Sequence, residues 1–585
     1  MGFGIAAYRS QEARDIWGRK WRAVMESVLP SATAMEVGDA TRPATLICDA
    51  KVVTCHESGR TLAIEHGGLP GTRSGSAPDI SAEQVLRKWY PDASASLATL
   101  DGPFALALYD APHGALSLAR DRFGTRPVYY VDLPDVIFAA TDVAALLELL
   151  PDRSIDRSAL LLSIRFRFNV MQQHLFSSIR KVQAASHVKL GRFGEENISA
   201  YWELSFDPEP DGTLDEWAGY TRDGFRKFFE AERLQDETVG ILLSGGVDSA
   251  VIAAAAKESC RNVIAYVAKF ADSSEEASRA QAVAEHLGIR CNVIEFQEDQ
   301  IRDDLQAIVK GLGEPPLHAN NLVLLQLYKR AAQDVSIVLQ GDAAEMLFGL
   351  ADSMRVPQFA RKRRVAEVLV PRKIRKSAAN HLTRWDSSLC WRTARVLERD
   401  VRQFALSLDE IRYSSAVRRV AEPAWTDAGI DFPYAELLDS YSHFDDGLQA
   451  YQARTFLQAS TDRHYRLAQM AGVESMGPFL SGPLVAVASK LPRSLRFTDT
   501  ARPVVKKLCD QIAHPEVSRW KKLGFPVPWA TWLEGPLAGA AGNPAEHQFL
   551  EDERVLPPGF LAAAWQANDK EGKWLASSLR MLLDY

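Results

Sequence analysis

The chain has 585 residues, 46% hydrophobic and 24% charged, with a formal net charge of −7, which leaves room for at least two domains of ordinary globular composition. The acidic balance argues against general nucleic-acid binding, and no apolar run approaches the roughly 20 residues needed to cross a bilayer. The start Met1-Gly2-Phe3-Gly4 lacks signal-peptide regions, and six scattered cysteines (Cys48, Cys55, Cys260, Cys291, Cys390, Cys509) form no C-x-x-C pair or zinc spacing, so a cytoplasmic protein with reduced thiols is expected, without membrane or nucleic acid as partner.

Residues 1 to about 205 read as short strands, at 44–47, 62–64, 104–109, 128–131 and 187–190. They are separated by turn signals such as Gly67-Gly68 and Pro70-Gly71, and helices are few. The polar, proline-rich stretch Phe206-Asp207-Pro208-Glu209-Pro210-Asp211-Gly212 predicts a linker over 206–215. Beyond it, 241–243, 262–267, 291–296 and 336–339 read as buried strands. Between them Ala277, Ala280, Val283, Ala284 and Leu287 fall at helical spacing that stops at Gly288. Strands alternating with helices predict a parallel sheet with ligands at the carboxyl ends of its strands. From about residue 350 the pattern is mostly helical, with a basic insertion at about 351–450 whose stretch 355–376 centres on Arg361-Lys362-Arg363-Arg364. Such a run is usually a solvated helix face; the alternative is a docking surface for an acidic peptide.

The most informative stretch is Ser244-Gly245-Gly246-Val247-Asp248-Ser249, between a strand pattern and an alanine-rich helix start. A loop of this kind turns backbone N–H groups and the positive end of a helix toward one point, which suits pyrophosphate. It lacks the lysine of the common G-x-x-x-x-G-K-[ST] loop, which points to holding the β,γ-pyrophosphate while chemistry occurs at the α-phosphorus. A tight turn that merely needs glycine is the plain alternative.

Three further segments fit this chemistry. Gln340-Gly341-Asp342-Ala343-Ala344-Glu345 follows a predicted strand, so its carboxylates should lie at the same sheet edge. One could join Asp248 in holding Mg²⁺ and the other could orient or deprotonate an incoming group, with N-capping and dipole complementation as the plain reading. In Arg519-Trp520-Lys521-Lys522-Leu523-Gly524-Phe525 a lysine could meet negative charge that builds during acyl transfer, although a surface lysine pair is the commoner reading. Gly313-Glu314-Pro315-Pro316, with His318 and Asn320 following, could wall a carboxylate site.

Together these residues resemble the asparagine synthetase family over nearly the whole chain. The 244–249 loop resembles its ATP-pyrophosphatase loop, and 341–349 its G-D-G-x-D-E-L-F-G segment. Gly472-Val473-Glu474 with Pro478-Phe479-Leu480 resembles its G-V-E-x-R-x-P-F-L-D helix. The strings at 100–110 and 119–124 match its glutaminase domain. The resemblance implies an α/β multidomain fold: an N-terminal-nucleophile-like αββα sandwich over 1–205 and a parallel-sheet ATP-pyrophosphatase synthetase domain over 216–585. It implies ATP and Mg²⁺ as cofactors, with Ser244, Gly245, Gly246, Asp248, Ser249 and Gly341 around the nucleotide and Asp248 and Glu345 on the metal. Leu243 and Val267 line adenine by position in the family pattern only.

The departures are as informative. A glutaminase of this class needs cysteine at the mature N-terminus, whereas the chain opens Met1-Gly2, and His66-Gly67 stands for the glutamine-binding Asn-Gly. The expectation is a degenerate glutaminase domain that keeps its fold. The family's arginine after G-V-E is Met476 here and its later aspartate is Ser481, which disfavours free aspartate as substrate. β-Lactam synthetases and lasso-peptide macrolactam synthetases share this loss, and Lys522-Leu523-Gly524 resembles the catalytic lysine segment of the former. Their tyrosine at the base position aligns with Asp342. The long basic insertion favours a larger substrate, so the expected activity is adenylation of an Asp or Glu side chain of a precursor peptide and capture by the peptide's N-terminal amine. In this reading Lys522, with Lys521 as the alternative, stabilises acyl transfer and Asp342 receives the amine proton. A leader-binding protein and a leader protease are candidate partners besides the peptide. Asparagine or β-lactam synthesis on a small molecule, and a non-catalytic peptide-binding homologue, are the competing readings.

Overall fold

The computed structural model describes residues 2–38, 41–48, 52–57, 59–66, 85–86, 89, 92–166, 171, 173–209, 211–270, 275–316, 318–350, 352–429, 431–498, 500–521 and 527–584. The first half carries β1 (Phe3–Tyr8), β2 (Thr33–Gly38), β3 (Pro43–Cys48), β4 (Val52–Glu57), β5 (Arg60–His66), β6 (Phe104–Asp110), β7 (Ala115–Arg120), β8 (Tyr129–Asp132), β9 (Val136–Ala140), β10 (Arg180–Lys181), β11 (Ser186–Leu190) and β12 (Glu196–Ala200). They form two antiparallel sheets, ordered β10-β8-β9-β1-β3-β2 and β12-β11-β7-β6-β5-β4. Side chains alternate across each strand, so Phe3, Ile5 and Ala7 meet Ala105, Ala107 and Tyr109 between the sheets. Ala6 and Tyr8 face the other way, into a core with Trp21 and Met25 of the helix Gln11–Val28. Leu62, Leu106 and Leu108 of the second sheet pack outward on Leu97 of the helix Ala93–Ala98. This is the expected αββα sandwich. The 18-residue helix Gln11–Val28, capped by Ser10 Oγ, which accepts from Ala13 N at 3.1 Å, is a helical element that the strand-dominated reading of this half passed over.

The second half is built on β13 (Thr238–Leu242), β14 (Asn262–Lys269), β15 (Arg290–Glu295), β16 (Ile337–Leu339) and β17 (Glu474–Met476). All four neighbouring pairs are parallel, in the order β15-β14-β13-β16-β17. The direction of winding reverses between β13 and β16, so the crevice above their carboxyl ends is the topological switch point at which open α/β sheets bind ligands. The helix Glu275–Leu287 buries Ala277, Ala280, Val283 and Ala284, the stripe read from the sequence. β17 is three residues long and pairs with β16 only after a long helical excursion, which is why local pattern gave no sign of it.

The 206–212 stretch does not run free. Asp207 N donates to Ser489 O at 2.9 Å and Glu209 N to Lys490 O at 2.8 Å, and Thr213 caps the helix Leu214–Ala231 in a reciprocal box with Glu216. The basic stretch lies on the helices Asp352–Leu369 and Arg372–Leu382, where Arg361, Lys362 and Arg364 are exposed and Arg363 turns inward to the carbonyls of Val396 and Leu397. Cys260, Cys291, Cys390 and Cys509 are free thiols. Among the described residues no helix is long and apolar enough to cross a membrane.

The halves are joined by buried charge. Arg126 donates to Glu65 at 2.9 Å within the sandwich and to Glu474 of β17 at 2.9 Å, and Tyr465 also bonds Glu65. Asp462 receives Arg120 and, at 3.1 Å, Lys181. Burial works against the Arg126 cation, but Glu65 and Glu474 hold its pKa above the ordinary value. Removing one member strands the others in a water-poor junction, so Arg126→Ala should destabilise the protein by about 3–5 kcal/mol in urea denaturation, whereas replacing an exposed arginine such as Arg361 should change stability by less than about 0.5 kcal/mol.

Candidate active site

β13 runs out at Leu242, Leu243 N donates to Tyr266 O at 3.0 Å, and the chain turns into the helix Val247–Ser259. Gly245 makes the turn: its φ is +68°, and a Cβ there would lie 2.8 Å from Arg279 Cβ on the neighbouring helix. Ser249 Oγ fastens the loop, accepting from Ser244 N at 3.2 Å and donating to Gly246 O at 3.2 Å. The helix N-cap is Gly246, with no side-chain cap among the described residues, and Ser244 and Gly246 are exposed. Amides of the first turn therefore face the crevice with the positive end of a 13-residue helix behind them, a fit for phosphate oxygens.

Asp248, in the first turn of that helix, and Glu345, in the short helix Ala344–Phe348 after β16, converge on one cation. Arg502 Nη1 bonds Asp248 Oδ2 and lies 3.8 Å from Glu345 Oε2. The contact is delivered by unusual backbone on both sides. Arg502 has φ +53° and Ala343 φ +78°, the latter where the family motif has glycine, and both are left-handed conformations that cost a non-glycine residue roughly 1–2 kcal/mol. Gly349 has φ +128°, and a Cβ there would fall 2.3 Å from Arg496 O and 3.4 Å from Arg502 N, so glycine alone lets these residues close on the end of the motif. Lys506, one turn further, adds a second cation whose pKa is lowered by burial and by Arg502. Two carboxylates that converge on a positive group are a donor set that fits Mg²⁺, an ion that takes one or two carboxylates besides phosphate and water.

Asp342 belongs to a different group. Its amide donates to Gln340 Oε1 at 2.6 Å, its Oδ2 accepts from Ser460 Oγ at 2.7 Å, and His464 Nε2 lies 3.6 Å from the same oxygen. His464 Nδ1 lies 2.7 Å from the Tyr328 hydroxyl, which also contacts Ser475 Oγ at 2.9 Å. Burial pushes the His464 pKa down to about 4 against the pull of Asp342, so the imidazole is neutral near pH 7, and burial raises the Tyr328 hydroxyl. Asp342 is thus a carboxylate hydrogen-bonded by Ser460, with a neutral imidazole beside it and the Arg463 cation acting on it through space.

Leu243 and Val267 sit at the ends of β13 and β14 with side chains in the core. Gly341 lies against Asp248, bringing the two motifs together. Lys521 is exposed and its carbonyl accepts from Arg279 at 2.7 Å. Lys522 with 523–526, Gly67 and the His66 side chain lie outside the described residues. Arg502, Ser460, His464 and Tyr328 escaped the sequence reading because none sits in a short motif; the polar string Ser460-Thr461-Asp462-Arg463-His464 shortly before Gly472-Val473-Glu474 was the available signal.

Two outcomes follow from this geometry. Arg502→Ala leaves two carboxylates facing each other, so the nucleotide-free protein should lose about 1–3 kcal/mol of stability, and millimolar Mg²⁺ with ATP should raise the variant's melting temperature more than the wild type's. A depressed folded-state pKa stabilises above the unfolded value of 6.5 and loses that contribution as pH falls through about 4. His464→Gln should therefore flatten stability between pH 6.5 and 4 by no more than about 3 kcal/mol, read from denaturation midpoints against pH.

Comparison with known proteins agrees with this architecture. The asparagine synthase family model matches residues 222–584 and the glutamine amidotransferase domain model residues 75–202. A glutamine-hydrolyzing asparagine synthetase of Bacillus subtilis is 26% identical over 480 residues, covering 78% of this chain and 73% of that protein. A putative glutamine-hydrolyzing asparagine synthetase of Mycobacterium bovis is 26% identical over 516 residues, covering 83% and 75%. Among solved structures, NMN synthetase from Francisella tularensis aligns with 43% of this chain and 97% of its own at 15% identity, with a TM-score of 0.21. With matches across both halves, and the synthase model spanning most of the chain, this protein is a member of the asparagine synthase family.

Proposed function

We propose that this protein is a macrolactam synthetase: an ATP-dependent carbon–nitrogen ligase of the asparagine synthase family that closes a ring within a precursor peptide. A carboxylate oxygen of an Asp or Glu side chain attacks the α-phosphorus of ATP; the bond from that phosphorus to the α,β-bridging oxygen breaks and pyrophosphate leaves. The peptide's N-terminal amine then attacks the acyl carbon, forming the amide and releasing AMP, while Asp342 takes the proton from nitrogen. The 244–249 loop holds the departing pyrophosphate, and Asp248 and Glu345 hold Mg²⁺, which neutralises phosphate charge when bound. Lys522, with Lys521 as the alternative, offsets the charge that develops during acyl transfer.

The ligase part rests on the convergence of Asp248 and Glu345 beside the open helix end. The observation that favours a peptide over free aspartate is that Met476 and Ser481 are buried where the family keeps an arginine and an aspartate, leaving those places without charge for a free amino acid. A second observation speaks against glutamine as the nitrogen source. Gly2 is packed so closely that a Cβ would lie 2.1 Å from Thr141 Oγ1 and 3.3 Å from Glu65 Oε2, which leaves no room for a thiol there.

The test is mass spectrometry of a peptide with a free amine and an internal Asp or Glu, incubated with ATP and Mg²⁺. Loss of one water, with AMP and pyrophosphate formed in equal amounts, is expected. Asp248→Asn should lower pyrophosphate release by about 10²–10³-fold, and Lys522→Ala should lower ring closure by a similar factor while sparing adenylation. Production of asparagine from aspartate and ammonia with no ring closure would overturn the proposal.

A further inference from the structure

A cavity beside Asp342 is lined by both halves of the chain: Tyr129 and Lys181 come from the sandwich, and Glu314, Asn321, Ser460 and Arg463 from the synthetase half. Ser460 joins it to the site already described, since its hydroxyl donates to Asp342. The charges around the cavity can be paired off. Lys181 is bound to Asp462 at 3.1 Å, and that carboxylate also holds Arg120. Arg466, another lining cation, is bound to Asp142 at 2.9 Å. Two groups are left over. Arg463 has no carboxylate within ion-pair distance among the described residues: its donors reach only Ser460 Oγ at 3.1 Å and Asn320 Oδ1 at 3.5 Å, and its buried Nε has no partner. Among the described residues the one ion-pair-distance contact of Glu314 is His174 Nε2 at 3.5 Å; Lys181 acts on it through space, and its Oε1 is buried without a hydrogen bond.

His174 does not neutralise Glu314. Burial pushes the His174 pKa down to about 3, so the imidazole is uncharged, and burial pushes the Glu314 carboxyl up to about 7. Asn321 adds a third unmet group: it is 3% exposed and its Oδ1 has no donor among the described residues. A buried guanidinium and a buried carboxyl that line one cavity, with Asp342 and Lys181 acting on them only through space, are both stabilised by an opposite charge brought into contact from elsewhere. We infer that this cavity binds a ligand that carries both, presenting a carboxylate to Arg463 and a primary ammonium to Glu314 and Asn321. A ring-closing ligase must hold just such a pair, so the inference rests on the proposed function for its meaning, though not for its geometry. It also gives the N-terminal sandwich a part in the reaction that needs no glutamine: Tyr129 and Lys181 form one wall of the substrate cavity.

The test is calorimetric binding without ATP, so that it is independent of turnover. The probes are a series of ω-amino acids from glycine to aminohexanoate, with acetate and methylammonium as half-ligands. At least one member of the series should bind about tenfold or more tighter than either half-ligand, because each charged hydrogen-bonded end contributes on that order. Arg463→Gln and Glu314→Gln should each bring affinity down to the half-ligand level while the melting temperature and ATP binding hold. If either variant fails to fold, Asn321→Leu should weaken the ammonium-bearing probes and leave acetate unchanged. Zwitterions that bind no better than acetate, or correctly folded variants that bind as the wild type does, would overturn the inference. Free aspartate and a peptide with a free amine and an internal Glu, the latter compared with its N-acetylated form, separate the two sources of this chemistry. Binding without ring closure would sink the ligase reading and leave the cavity assignment standing; ring closure unaffected in Arg463→Gln would do the reverse.

Discussion

The structure of the site depends on one electrostatic constraint: two carboxylates, Asp248 and Glu345, brought to the carboxyl edge of a parallel sheet and held there by Arg502. Bare carboxylates at such a spacing repel each other and need a cation. The fold satisfies that need with its own guanidinium, at the cost of left-handed backbone at Arg502 and Ala343. That strain sits where the chemistry is placed, which is where local backbone rules are commonly broken. A metal–nucleotide complex would supply positive charge to the carboxylates and negative charge to Arg502 and Lys506, so that each group released from the resting contact finds an opposite charge in the ligand.

The second constraint is the junction between the halves. The buried Arg126 bridge between Glu65 and Glu474 ties the sandwich to β17, whose register on β16 leads directly into the turn that positions Asp342 through Gln340. The sandwich is thereby part of the frame of the synthetase site. Its charged contacts lie near the cavity of Lys181, Glu314 and Arg463, so loss of the junction would loosen that wall as well as cost stability.

Much of this was legible in the sequence, for identifiable reasons. The parallel sheet was readable because β13, β14 and β15 are short apolar-rich runs alternating with helical patterns, and the turn at 244–249 because glycine and serine at fixed spacing carry a local backbone demand. The place of Asp342 and Glu345 at the carboxyl edge of the sheet was readable from the strand before them, but only the fold sends one toward Ser460 and the other toward Arg502. Arg502, His464 and Arg463 were not legible. Their roles arise from contacts between residues more than 100 positions apart, such as Arg502 with Asp248 and Ser460 with Asp342, and no periodicity encodes such pairings. The helix Gln11–Val28 was passed over because its mixed, arginine-rich surface conceals a narrow buried stripe of Ala13, Trp21 and Met25.

In the proposed mechanism Asp248 and Glu345 form the metal end of an adenylating site. Electron paramagnetic resonance of Mn²⁺ titrated with the non-cleavable α,β-methylene analogue of ATP tests it most directly, because it reads the ion without turnover. The account predicts one nucleotide-dependent Mn²⁺ site in the wild type, weakened about tenfold or more in both Asp248→Asn and Glu345→Gln and retained in Asp342→Asn. Equal Mn²⁺ binding in the wild type and the Asp248 and Glu345 variants would contradict it.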